Sequence, residues 1–238
     1  MTTSQSQPLK VGDLVGQTFS VYFRSLLPFT VLSAIVMSPW IVLLFVIEQA
    51  PSQGLVIGSG ILQSVLSWVL AGAISYGVVQ QMRGQAVDLG KLIGAGFRSI
   101  LRVFGVSLVV GLIVGIGTLL LIVPGVIASV ILFVAVPAAV VENLSISEAL
   151  NRSAQLTKGS RWQVFAGALL IMLVVGGLGA VGAFVLAAAP GEAAPIWFQI
   201  AVAVVLAPFS ATMYAVGYVL LRRSRENVDV GQLAAVFD

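Results

Sequence analysis

Residues 103–141 read VFGVSLVVGLIVGIGTLLLIVPGVIASVILFVAVPAAVV. No charge interrupts this stretch, and it is too long for one membrane crossing, because about 20 apolar residues already cover a hydrocarbon core of about 30 Å. It divides at Val123-Pro124-Gly125, where proline ends a helix and glycine permits a tight turn. Two crossings follow, Val103–Ile122 and Val126–Val141. The same reasoning works outward. No charge lies between Arg24 and Glu48, which gives a first span over Leu26–Ile47. None lies between Glu48 and Arg83, and after the turn-like Ala50-Pro51-Ser52-Gln53-Gly54 a second span fits Leu55–Val79. Trp162–Ala188 is the fifth. Pro190-Gly191-Glu192 then breaks the chain, and Ile196–Leu221 is the sixth.

Composition demands the same class. Of 238 residues, 59% are hydrophobic and 9% charged, against a usual charged share of about 25%. So few charges cannot cover a water-soluble surface, and lipid is the outer solvent. The start, Met1 to Leu9, lacks a basic segment followed by an apolar core, so no cleaved signal peptide is expected. With no cysteine, disulfides and thiol chemistry are excluded. The absence of histidine removes the commonest general acid/base and metal ligand. No catalytic residue, metal ligand or cofactor is predicted.

The charges orient the spans. All twelve basic residues fall before span one, between spans two and three, between four and five, or after span six. The opposite side holds only Glu48 and Glu192. By the positive-inside rule the basic side is cytoplasmic and both termini lie there. The expected location is a bacterial inner membrane.

The segments before the odd-numbered spans carry helical stripes: Val11, Leu14, Val15, Thr18, Phe19, Tyr22; then Leu89, Leu92, Ile93, Phe97, Ile100; then Ile146, Ala149, Leu150, Ser153. In the third, Glu148, Asn151, Arg152 and Gln155 take the opposite face. Such stripes predict amphipathic helices in the inner interface. The third opens on a capping box, Ser145-Ile146-Ser147-Glu148, and stops at Lys158-Gly159. Phe23-Arg24-Ser25-Leu26-Leu27 matches Phe97-Arg98-Ser99-Ile100-Leu101, and each follows an Asp-Leu pair. The predicted fold is therefore an all-α integral membrane protein whose six transmembrane helices form three hairpins, each preceded by an interfacial helix. One membrane domain covers 1–238: a tail and interfacial helix over 1–25, hairpins within 26–79, 87–141 and 145–221, and a tail over 222–238. The tail stretch Val228 to Leu233 echoes Val87 to Leu92 and predicts one more short interfacial helix.

The stretch from Leu121 to Trp162 has the most specific pattern. A Pro-Gly pair is followed by an apolar helix with Phe133 and Pro137. Glu142-Asn143 comes next, then Ala149-Leu150, Ser153 and Leu156-Thr157-Lys158-Gly159. This resembles the membrane domain attached to some bacterial glycerophosphoryl diester phosphodiesterases, and the related YciC-like inner-membrane proteins. The resemblance covers about a sixth of the chain. It implies the membrane part only, since that family's activity resides in a separate soluble barrel with histidines and metal-binding carboxylates.

Glu142, at the inner end of span four, reads either as a headgroup or proton-handling group or as the partner of a nearby cation. Arg24, Arg98, Arg152, Lys158, Arg161, Arg222 and Arg223 form a basic collar. It attracts anionic lipid, at about 1 kcal/mol per charge, or shapes a pocket for phosphate headgroups. The arginines are dispersed among acids, which argues against nucleic acid. Gln63, Ser64, Ser67, Ser210, Thr212 and Tyr214 either line a polar path or join helices by hydrogen bonds. The glycines at 111, 115, 117, 176, 177 and 179 predict close helix approach, within the chain or between protomers. Pro39, Pro137 and Pro208 predict kinks. Trp162 and Trp197 are expected as interface anchors, Trp40 and Trp68 as packing residues.

Three functions remain. The reading best matched to these features is a non-enzymatic protein that binds anionic phospholipid or organises the envelope, as a homo-oligomer or with an envelope protein partner. The alternative is a transporter or permease subunit for a lipid-like or small polar solute, although no ionisable group sits at mid-span to couple transport. An enzyme acting on lipid fits worst, for want of His, Cys or clustered acids.

Overall fold

In the computed structural model, residues 9–85, 88–188 and 194–226 are described. The echo at Val228–Leu233 and the break at Pro190-Gly191-Glu192 lie outside them. The described residues are helical, with no strand among them. They form α1 (Val11–Arg24), α2 (Leu26–Gln49), α3 (Gln53–Met82), α4 (Leu89–Leu120), α5 (Ile122–Ile131), α6 (Ala135–Val141), α7 (Ile146–Thr157), α8 (Arg161–Ala188), α9 (Ala194–Ala201), a π-helical turn (Val202–Leu206) and α10 (Ala207–Glu226). Six stretches are long and apolar enough to cross a membrane: Leu26–Gln49, Gln53–Met82, Leu89–Leu120, Ile122–Val141, Arg161–Gly182 and Ile196–Glu226. Large apolar side chains stay open on their outer faces, Leu101, Leu119, Leu27 and Phe184 among them, as lipid-facing surfaces require.

The apolar stripes bury in part: Leu14, Thr18, Tyr22, Leu92, Ala149 and Ser153 turn inward, whereas Phe97 and Ile146 stay exposed. On α1, Leu14, Thr18 and Tyr22 turn inward while Asp13 and Ser20 stay open. Leu14 packs on Gly167 of α8, where an added Cβ would crowd it at 2.6 Å, and reaches Gly217 of α10, where a Cβ would instead crowd Phe133 at 2.7 Å. On α7, Ala149, Ser153, Leu156 and Thr157 are buried. The capping box forms, with the Ser145 N–H donating to Glu148 at 2.9 Å. Gly159 holds φ +82°, the left-handed stop that its position after Lys158 predicts.

Four expectations are corrected. First, α4 is continuous from Leu89 to Leu120. The stripe over Leu89–Ile100 is the first part of the same helix as the span, which at 1.5 Å per residue runs about 48 Å. Second, the chain breaks at Leu121, not at Pro124. Leu121 is extended at φ −159°, ψ 142°, and Pro124 sits in the first turn of α5, where its missing N–H has no partner to lose. Gly125 serves close approach. A Cβ there would lie 2.7 Å from the Thr118 backbone nitrogen on α4.

Third, four of the span hydroxyls read from the sequence do not join helices. Ser64, Ser67, Ser210 and Thr212 each donate to the carbonyl four residues back on their own helix. Fourth, within the chain and among the described residues, only Gly117 of the glycines at 111, 115, 117, 176, 177 and 179 meets another helix, 3.0 Å from the Gly125 nitrogen for a Cβ placed on it. The tight crossing lies elsewhere: a Cβ on Gly96 of α4 would stand 2.6 Å from the Val69 carbonyl oxygen of α3.

Two helix interruptions are repaired by side chains. Pro137 cannot donate to the Phe133 carbonyl, and the helix lapses over Leu132-Phe133-Val134. Ser153 of α7 fills the gap, donating to the Ile131 carbonyl at 2.8 Å and accepting from the Val134 N–H at 3.2 Å. Before Pro208 the register slips to i→i−5, the Ala207 N–H bonding the Val202 carbonyl. In that register Pro208 would have served the Ala203 carbonyl. Ser33 of α2 donates to it instead, at 3.2 Å, and Tyr22 of α1 donates to the Val205 carbonyl at 2.6 Å. Without water, backbone groups freed by proline need such partners.

Candidate functional site

The charged ends of α3, α4, α6, α7 and α10 meet in two neighbouring constellations with opposite character. The first is a closed ion network. Glu142 follows α6 directly, and Arg152 lies one and a half turns into α7. The Arg152 Nε donates to both Glu142 oxygens at 2.9 Å. Its Nη2 also pairs with Glu226 at the end of α10. Arg222 donates from Nε to Glu226 at 2.8 Å and stands 3.6 Å from Glu142. Tyr218, one turn earlier, donates to Glu142 at 2.6 Å and accepts from Arg222 at 2.9 Å.

Two guanidiniums and two carboxylates balance. Their side chains are only 13–27% exposed, so the charges need each other. Burial works against the Arg152 charge, but the hydrogen bonds to Glu226 and Glu142 outweigh it and hold its pKa above the ordinary arginine value. The nearby Glu148 carboxyl is held below the usual carboxylate range by the Ser145 hydroxyl and N–H. The network clamps the end of α6, α7 and the end of α10 together.

The second constellation is a pocket of about 480 Å³ on the basic face of α4. Lys91, Ala95, Arg98 and Arg102 follow one another at i, i+4, i+7 and i+11, one side of a helix. Tyr76 of α3 and Asn143, just past α6, complete the walls. The Asp88 side chain caps the Lys91 N–H at 2.9 Å and starts the helix. Arg102 donates to Asn143 at 2.9 Å, and Asn143 holds φ +54°, a left-handed turn that asparagine tolerates. Three cations line the pocket and, among the described residues, no carboxylate does.

The predicted collar therefore divides. Glu142, Arg152 and Arg222 sit in the network. Arg98 sits in the pocket. Arg24, Lys158 and Arg161 are exposed, and among the described residues none has an ion pair. Arg223 is half-buried and belongs to neither constellation. Reasoning from sequence missed Lys91, Arg102, Tyr76 and Asn143 as pocket residues, and Tyr218 and Glu226 as network residues. The cation spacing on α4 was a usable signal. Lys91, Arg98 and Arg102 share one side only when Leu89–Leu120 is a single helix.

Fold and charges thus describe a helical protein with six apolar helices of spanning length. Comparison with known proteins takes this no further: no family model, curated protein or solved structure matches the chain.

Proposed function

We propose that this chain is a non-enzymatic, multi-pass protein of the bacterial inner membrane that binds anionic phospholipid, taking the phosphate into the pocket of Lys91, Arg98 and Arg102. In this reading the basic ends are cytoplasmic, and the six spans form three hairpins entered through interfacial segments. The first part of α4 rises from the interface without a break. The resemblance of residues 121–162 to a phosphodiesterase-associated membrane domain agrees with this reading and adds no activity to it.

The observation that carries the proposal is the uncompensated positive charge of the α4 pocket beside a network whose arginines are already neutralised. A phosphate needs charged donors with N–H groups to spare, and Arg102 keeps such groups beyond its one bond to Asn143. Tyr76 adds a hydroxyl to the wall, and Asn143 a carboxamide. A direct hydrogen bond to the phosphate contributes about 1 kcal/mol net at a partly exposed donor, so three such bonds, made only inside the pocket, are worth about 3 kcal/mol, roughly 100-fold in affinity.

The test is native mass spectrometry of protein released from nanodiscs holding phosphatidylglycerol and phosphatidylethanolamine. The Lys91→Gln/Arg98→Gln/Arg102→Gln variant is expected to lose retained anionic lipid by about two orders of magnitude. A control variant, Arg24→Gln/Lys158→Gln/Arg161→Gln, removes the same charge from exposed positions and is expected to change retention little. Equal loss in both would reduce the pocket to general surface attraction and sink the proposal.

A further inference from the structure

A second cavity, also about 480 Å³, lies between α2, α3, α8 and the stretch from α9 through the π-turn to α10. It shares no residue with the α4 pocket. Trp40, Gln63, Gln199 and Ser210 line it, with Phe198 and Ala203 among its apolar walls. The volume suits a small-molecule site, for which about 300–1,000 Å³ is usual. Gln63 stands ten residues into α3, about 15 Å along the helix from its start, well inside a spanning stretch.

The polar groups here are not satisfied as others in the spans are. Ser64, Ser67 and Thr212 bond back onto their own helices. A glutamine carries both donors and an acceptor, and one back-bond could not settle it. Among the described residues, the carboxamides of Gln63 and Gln199 and the indole N–H of Trp40 have no hydrogen-bond partner. Ser210 reaches only the Leu206 carbonyl, at 3.4 Å. Gln199 and Ser210 are exposed and Gln63 is half-buried, so these groups stand open to a ligand that enters the cavity. The wall is also held in shape. The π-turn that forms it is pinned by Ser33 and Tyr22 at the Ala203 and Val205 carbonyls, and π-turns recur at functional sites.

We infer that this cavity binds an uncharged, hydroxyl-rich group, either a free sugar or polyol or the sugar headgroup of a neutral glycolipid. Each hydroxyl donates and accepts at once, which is what two carboxamides can answer. The Trp40 ring offers a flat apolar face for the C–H side of a sugar. An ion would meet no counter-charge in this lining and would lose its hydration. An acyl chain would leave both carboxamides bare. The inference is independent of the phosphate pocket, because the two sites have different residues.

The experiment uses the full chain in nanodiscs of phosphatidylcholine, prepared without glucoside detergent. One arm titrates free glucose, and the other varies monoglucosyl diacylglycerol in the disc. Tryptophan emission and Tm are read together. A saturable response to either ligand is expected, with the emission change lost in Trp40→Phe. Binding should weaken about tenfold in Gln63→Leu and in Gln199→Leu. A response to free glucose makes the ligand a soluble solute; a response to the glycolipid alone makes it a headgroup. If Trp40→Phe does not fold, the Tm shift in the glutamine variants decides alone. No saturable response in either arm overturns the inference, and so does an undiminished response in Gln63→Leu/Gln199→Leu.

Discussion

Glu142→Gln is the sharpest test of how the bundle is held at its charged end. Glu142 accepts two hydrogen bonds from the Arg152 Nε and one from Tyr218, and it lies 3.6 Å from Arg222. Glutamine keeps the shape and one acceptor but removes the charge. Two arginines then share Glu226 alone, and the network passes from neutral to a net charge of about +1. Breaking a fully buried pair costs about 3–5 kcal/mol. Here Glu142 is 15% and Arg152 21% exposed, so water recovers part of that, and Glu226 still faces both guanidiniums. We expect a loss of about 2–3 kcal/mol.

Glu226→Gln makes the same charge change at a site that is 27% exposed, at the last residue of α10 and without a tyrosine donor. It should cost only about 1 kcal/mol. The assay is reversible unfolding in bicelles by steric trapping, which reads free energy directly. A double-mutant cycle between Glu142→Gln and Tyr218→Phe should return a coupling of about 1 kcal/mol, because the tyrosine donates to the charge that is removed. If Glu142→Gln falls within about 0.5 kcal/mol of wild type, or if Glu226→Gln costs as much, the network is not the clamp described and the reasoning fails.

Ser153→Ala should destabilise by about 1–3 kcal/mol, since it strips the Ile131 carbonyl of its close donor and the Val134 N–H of its acceptor in a buried setting. The same steric-trap measurement checks it, and a neutral result would mean that the break between α5 and α6 closes without help. Gly96→Ala should cost about 1–3 kcal/mol by overpacking, because the atom it meets is the Val69 carbonyl of the backbone and cannot swing away. Gly111→Ala meets nothing within 4 Å and should be neutral or gain up to about 1 kcal/mol of helix propensity. Equal effects at Gly96 and Gly111 would refute the crossing.

What the chain shows in advance is whatever local signals decide. Five charge-free stretches, one of them long enough for two crossings, locate six spans, the stripe on α1 picks out Leu14, Thr18 and Tyr22, and Ser145-x-x-Glu148 with Gly159 brackets α7 almost to the residue. Proline is harder to place, because its effect depends on position within the turn. Pro124 starts a helix, Pro137 follows a lapse, and Pro208 shifts the register to π. What repairs each lapse comes from far away in sequence: Ser153 mends the break at Phe133, Ser33 the carbonyl of Ala203. Small residues mislead in the same way. A run such as Gly176-Gly177-Leu178-Gly179 looks like a packing face, yet packing needs a partner, and the partners of Gly72 and Gly96 are each other's neighbours across α3 and α4. Such pairings belong to the fold, not to any window of the chain.

The collar shows why counting cations overstates a site. Arg152 and Arg98 look alike as residues near a basic membrane face, but they differ in what a phosphate must displace to reach them. At Arg152 it must compete with Glu142 and Glu226, both already within hydrogen-bonding distance, and with Tyr218, which supports Glu142. Displacing them would leave two half-buried carboxylates without counter-charges, at a cost of several kcal/mol. At Arg98 no carboxylate among the described residues lines the pocket, so a phosphate there displaces no counter-charge. The same field from an anionic surface acts on both arginines, and a lipid can dwell only where that field is not already answered from within. In the proposed reading Glu142 therefore acts on lipid binding from a distance: by holding Arg152 and Arg222, it takes them out of the cationic surface that a phosphate can reach.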